Sequence, residues 1–276
     1  VHWNPDPVML QLGALTVHWY GFFFSLGLLA TVIIGHRVFP PHGFAEKHAS
    51  NLTFALFAGL FIGAHTFDVF FYNWSTFLAN PRMLLDPRIG LSSHGGAVGV
   101  ITAGALYARY AKLPFHRLAD AVILPAIWLV PLVRLGNFFN SEVVGRPTDL
   151  PWGVIFEGAG LPEPRHPSQL YEMILGVGLI ALSLAMHRRR ERLRVGTLFY
   201  GLLGLYFTIR FCLEFFKEYQ AISPQFPLTM GQLLSLPGVV ICFGMLWWRR
   251  PIVVPAGSER GEAEPAGLDA TPASPR

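Results

Sequence analysis

The sequence predicts an all-α integral membrane protein of about seven transmembrane helices. Three observations predict it. Of 276 residues, 52% are hydrophobic and 14% are charged, whereas a soluble domain carries about 25% charged residues. Apolar stretches recur at roughly the 20-residue length that crosses a bilayer. Lys and Arg gather at the ends of those stretches, as membrane topology requires. The net charge of +4 therefore reflects loop placement, and no nucleic-acid partner is implied.

The stretches lie near residues 17–36, 52–72, 91–108, 118–138, 167–186, 195–216 and 229–248. Their unequal lengths allow tilt and partial burial. Gly95 and Gly99 give the third a small-xxx-small face for close helix contact. With the N-terminus outside, the inner segments hold twelve Lys and Arg, including most of the run "HRRRERLR" at 187–194, and the outer segments hold five. That asymmetry orients the N-terminus outward and the C-terminus inward. The first stretch has no basic segment before it and no small-residue cleavage site after it, so no cleavable leader is read.

Between the fourth and fifth stretches lies an outer segment of about thirty residues, 139–166, whose Pro and Gly content excludes one long helix. Residues 1–250 make up the membrane body including this segment. Residues 251–276, rich in Pro, Ala, Gly and Glu, read as a disordered inner tail. Cys212 and Cys242 both fall inside apolar stretches and read as small buried apolar residues. No HExxH, CxxC, GxSxG or Walker pattern occurs. No metal, cofactor, serine-hydrolase or nucleotide chemistry is therefore expected.

Polar residues concentrate at the outer ends of five stretches: "HWYG" (18–21), "SSHGG" (92–96), "VRLGNFFNSEVVG" (133–145), "RHPSQLYE" (165–172) and "YFTIRFCLEFFKE" (206–218). A charge at membrane depth is costly and marks function. Arg134 and Asn137, three apart, share a helix face with Asn140 close by. Tyr206, Arg210 and Glu214, four apart, share another. Two arginines from two helices suit a phosphate clamp, since their forks match its oxygens and never lose charge. The competing reading pairs each arginine locally, Arg210 with Glu214 or Arg134 with Glu142. His94, followed by two glycines, is a candidate general base, or a hydrogen-bonded structural histidine.

These motifs, with "MGQLLSLP" at 230–237, resemble the prolipoprotein diacylglyceryl transferases of bacterial inner membranes. They occur in order over residues 18–237. The resemblance implies a seven-helix body with a small periplasmic head, an outer N-terminus and a cytoplasmic C-terminus. It implies transfer of the diacylglyceryl group from phosphatidylglycerol to the lipobox cysteine of a preprolipoprotein, releasing glycerol 1-phosphate without a cofactor. The positions matching important family residues are Tyr20, His94, Arg134, Asn137, Glu142, Gly145, Tyr206, Arg210 and Glu214. For that reaction His94, Arg134, Arg210 and Glu142 are the candidate catalytic groups, with His94 or Glu142 as base. Tyr20, Asn137, Asn140, Gly145, Tyr206 and Glu214 are the candidate substrate-binding groups.

Three positions depart from the family pattern. Val133 stands where the family has glycine. In "GAHTFDVFFYN" (63–73) His65 stands at the usual arginine and Asp68 at the usual tyrosine. His65 and Asp68 either compensate as an i,i+3 pair or mark altered substrate handling. The alternatives to an active transferase are a non-catalytic paralog that binds phospholipid or lipoprotein signal peptides, and a related transferase with another headgroup or acceptor.

Overall fold

A computed structural model describes residues 1–13, 15–86, 90, 92–218 and 226–248, except the side chains of Tyr72, Ser93, His94 and Ala97. Two short strands open it, β1 (His2–Trp3) and β2 (Val8–Leu12). β2 forms an antiparallel hairpin with β3 (Leu15–His18). Then come α1 (Trp19–Val38) and α2 (Glu46–Phe67), which runs on as a π turn at Asp68–Tyr72. A short α3 (Trp74–Ala79) precedes α4 (Ser93–Tyr110), α5 (Phe115–Ala126) and α6 (Leu129–Phe139). β4 (Ile155–Phe156) lies in the following segment, before α7 (Ser168–Arg188), α8 (Thr197–Leu213) and α9 (Met230–Trp248).

Among the described residues six helices are long and apolar enough to cross a membrane, with α5 and α6 acting as one span, Phe115–Phe139. The third of the seven stretches counted from sequence falls outside that set. The third apolar stretch does form a helix, α4, but its polar first turn and Arg109 dilute its hydropathy. Its position comes instead from packing on α2. Gly59 and Gly63 of α2 meet Gly95 and Gly99 of α4 so closely that a Cβ on Gly99 would overlap the Gly59 carbonyl. This is the small-residue contact expected between membrane helices. Beside it an apolar groove of about 490 Å³ is lined by Gly63, Phe67, Phe70 and Val98.

The α5–α6 span breaks at Ile127–Trp128. Pro131 has no N–H, and the Ile127 carbonyl accepts from Val130 N at 3.2 Å, one residue early. Asp120 of α5 fixes the start of α8. Its carboxylate accepts from the backbone N–H of Gly196 (2.5 Å) and Phe199 (2.8 Å), groups at a helix start with no partner of their own. Of the two cysteines, Cys242 is buried as expected, but Cys212 is exposed on α8.

Residues 139–167 fold back on the helix ends. β4 pairs in parallel with β1, Gly145 with Lys217, and both Pro147 and Val154 with Arg165. Phe138, Val154 and Phe156 form a small core with Trp3 and Leu170, and Trp3 Nε1 donates to the Phe138 carbonyl at 3.0 Å. Gly145 allows this fit. A Cβ there would lie within 2.6 Å of the His166 and Phe216 carbonyl oxygens. Gly145→Ala is therefore expected to destabilise this segment by about 1–3 kcal/mol, read as a lower Tm in nanodiscs. An unchanged Tm would show that the backbone can move aside.

At the opposite end, His42 Nε2 lies 3.4 Å from His187 Nδ1. Burial, then His187, Arg190 and Arg117, lower the His42 pKa to about 4. Unfolded, His42 binds a proton near its ordinary pKa of about 6.5. The unfolded chain thus gains protons first as pH falls. The His42 contribution is complete above the unfolded pKa and is lost between about 6.5 and 4. His42→Asn should flatten the fall in Tm across that range. An equally steep fall would assign the acid sensitivity to other groups.

Candidate active site

The turn after α6 sets up the site. Ser141 (φ 54°) and Val143 (φ 58°) both adopt the left-handed conformation, which a β-branched residue rarely does. Buried α7 side chains hold it there. Ser168 Oγ donates to the Val143 carbonyl at 2.7 Å, and Gln169 Nε2 donates to the Glu142 carbonyl at 2.6 Å. Glu142 N reaches back to the Asn137 carbonyl at 2.9 Å. The strain turns the Glu142 side chain toward α6. Its carboxylate accepts from Asn137 Nδ2 (3.3 Å) and Asn140 Nδ2 (3.4 Å). Asn137 Oδ1 in turn accepts from Arg134 Nη1 at 3.1 Å.

Arg134 and Arg210 converge, as their spacing suggested, but on a carboxylate that spacing does not reveal. Glu172 Oε2, the last residue of "RHPSQLYE", lies 2.6 Å from Arg134 Nε and 3.5 Å from Arg210 Nη1. Its other oxygen contacts Lys217 Nζ. The local pairing of Arg210 with Glu214 is present at 3.4 Å. The local pairing of Arg134 with Glu142 is not. Arg134 binds Glu172, and Glu142 is reached only through Asn137. Arg134 points across to α7, where a buried carboxylate competes better than one on an exposed turn.

Glu214 also contacts Lys217 Nζ at 3.2 Å and accepts from Thr229 Oγ1 at 2.9 Å. Thr229 and Gln232 cap the start of α9 reciprocally: Thr229 N donates to Gln232 Oε1 (3.0 Å), and Gln232 N donates to Thr229 Oγ1 (3.2 Å). The positive end of the α9 dipole therefore faces Glu214. Arg134, Arg210 and Lys217 stand against Glu172 and Glu214, which leaves one positive charge among these five ion-paired groups, with the exposed Glu142 carboxylate joined to Arg134 through Asn137. Glu172 is 5% exposed, whereas Arg134 is 17% and Arg210 27% exposed. The carboxylate is the most enclosed of the three, and both arginine side chains stay partly exposed, with Arg210 Nη1 itself buried. Such a site attracts an anion to the arginines.

The remaining candidates distribute as follows. Tyr206 lines a void of about 10 Å³ with Glu172 and Arg210. Tyr20 packs on Gly136, one turn from Arg134, and lies within electrostatic range of Glu142 and Arg134. Gly145 supplies close backbone approach. His94 lies in the first turn of α4, and its side chain is outside the described residues. His65 and Asp68 do not pair. His65 Nε2 faces the Leu84 carbonyl at 3.1 Å, and Asp68 accepts from Asn73 Nδ2 at 2.8 Å. Asp68 keeps α-helical backbone, its N–H reaching the Ala64 carbonyl, so the two side chains stay apart because each has taken another partner.

The 139–167 segment is tied to the same helix ends. Arg146 Nε donates to the Lys217 carbonyl at 2.8 Å. Arg165 donates to the Gly145 carbonyl at 3.1 Å and pairs with Glu163 (2.6 Å) and Glu218. Burial opposes the Arg165 charge, but the hydrogen bonds to Glu218 and Glu163 raise its pKa above the ordinary value. Burial lowers the neighbouring His166. Burial also lowers Lys217, against the pull of Glu172. Sequence reasoning missed Glu172 and Lys217 as individual site residues. The signal was present, Glu172 closing one polar motif and Lys217 standing next to last in another.

A sequence model of the prolipoprotein diacylglyceryl transferase family matches residues 7–248. The chain belongs to that family. It is 41% identical over 237 residues to the phosphatidylglycerol–prolipoprotein diacylglyceryl transferase of Geobacter sulfurreducens, covering 84% of this chain and 90% of that protein. The enzymes of the same name from Chloroherpeton thalassium (39% over 247 residues; 87% and 91% covered) and Vibrio cholerae (40% over 252 residues; 89% and 92%) are similarly close. Family membership thus extends over the whole arginine cluster and all six candidate spans of this diacylglyceryl transferase family member.

Proposed function

We propose that this protein transfers the diacylglyceryl group of phosphatidylglycerol to the lipobox cysteine thiol of a preprolipoprotein, the first step of bacterial lipoprotein maturation. The observation that carries this is the meeting of Arg134 and Arg210 on one point, from two helices, in a chain of this family. The enzyme lies in the bacterial inner membrane, N-terminus periplasmic and C-terminus cytoplasmic. Residues 1–250 form the transferase body, with 139–166 as its periplasmic head, and the cytoplasmic tail read at 251–276 lies outside the described residues.

In the reaction the cysteine sulfur attacks the glycerol carbon that bears the phosphate. The carbon–oxygen bond breaks, its electrons stay with the phosphate oxygen, and glycerol 1-phosphate leaves. The phosphate passes from a singly charged diester to a monoester that gains a further negative charge. Arg134 and Arg210 favour the charge that develops, more strongly than they would in water. His94 takes the thiol proton, which a free thiol of pKa about 8.5 does not give up readily at neutral pH. Asn137 orients Arg134, while Asn140 and Glu142 complete that support. Tyr20 and Tyr206 flank the headgroup, and the acyl chains lie between helices.

Complementation tests the reading. Expression in a strain depleted of its own transferase should restore lipoprotein maturation. Rescue eliminates the non-catalytic binder. Failure with good membrane expression contradicts the assignment.

A further inference from the structure

Glu172 is given no task in the reaction above, yet Arg134, Arg210 and Lys217 all share it. Resting on the anion-clamp reading, we propose that Glu172 is a positioning residue that holds both guanidiniums, so that they meet the lipid phosphate at one point. Arginine side chains are long and flexible, and these two come from different helices. Among the described residues each has one other anchor, Asn137 Oδ1 at 3.1 Å for Arg134 and Glu214 Oε1 at 3.4 Å for Arg210. Glu172 Oε2 is the one atom among the described residues that contacts both. The burial gradient gives the direction of support, with the carboxylate enclosed and the arginines partly open. Lys217 holds the second carboxylate oxygen and so fixes which oxygen faces the arginines. Three cations share this one carboxylate, so Glu172 orients the clamp without cancelling it.

A competing role is that Glu172 only neutralises the buried Lys217. The two roles separate on substitution. Glu172→Gln keeps the shape and removes the charge. If Glu172 positions the clamp, turnover falls by about 10²-fold, the size of a misplacement of roughly 1 Å. Affinity for the headgroup does not fall with it, because a negative charge near the phosphate has gone. Inhibition by free glycerol 1-phosphate should therefore stay within threefold of wild type or tighten. A merely structural role would weaken both together.

The deciding variant is Glu172→Gln with Lys217→Gln, which removes the buried pair as a unit and leaves neither charge unpartnered. It also serves if the single variant does not fold. Turnover is measured in nanodiscs with phosphatidylglycerol and a lipobox peptide, beside Arg134→Ala and Arg210→Ala. The double variant should remain about as slow as the single one. Wild-type turnover in the double variant, with inactive arginine variants, would overturn the positioning role and leave the clamp standing. Active arginine variants would overturn the clamp itself.

Discussion

Arg134→Ala and Arg210→Ala should each lower transfer by on the order of 10²–10³-fold, the cost of losing one preorganised donor to a developing oxyanion. The protein should still accumulate in the membrane, since both side chains are partly exposed and the helices that carry them are held by other contacts. The two losses differ in origin. Arg134 is fixed by both Glu172 and Asn137, so its removal also frees the Asn137–Glu142 network. Arg210 leaves Glu214 with Lys217 and Thr229, so the surroundings change less. Arg→Lys at either position keeps the charge and loses the fork, and should recover only part of the rate. Normal turnover of both alanine variants, at matched expression, would refute the clamp.

His94→Asn should have the second large effect, about 10²–10⁴-fold in turnover, the range for loss of a positioned general base. Glu142→Gln should cost much less. The Glu142 carboxylate accepts from Asn137 and Asn140, and its backbone carbonyl accepts from Gln169. Those bonds suit an orienting group, and a glutamine oxygen can still accept one of them. The pH–rate profile separates the two. His94→Asn should remove the rise in rate near neutral pH, while Glu142→Gln should leave its shape. The reverse pattern would make Glu142 the base.

Much of this site was legible in sequence wherever one helix carries both partners. Tyr206, Arg210 and Glu214 follow helical spacing, and Arg210 does pair with Glu214. Glu172 was not legible as the hub, because its three partners come from α6, α8 and the turn after α8. Local spacing left two pairings open, and the structure decides against both. Arg134 prefers a buried carboxylate across the helix interface to the Glu142 nearer in sequence, and His65 and Asp68 turn to Leu84 and Asn73. The same limit explains the span count. α4 was read as one apolar stretch among seven, yet its glycine contact with α2, not its hydropathy, fixes its position. Val133 is half-buried beside Arg134, and nothing in the structure explains its departure from glycine.

The most direct test uses purified protein in nanodiscs with phosphatidylglycerol and a lipobox peptide. Glycerol phosphate release and the mass gain on the peptide are followed together, with a Cys→Ser peptide as control. Cysteine-dependent appearance of both products is the predicted result. Folded protein that binds lipid but yields neither would contradict the account, and would make Val133→Gly and His65→Arg the first reversions to make.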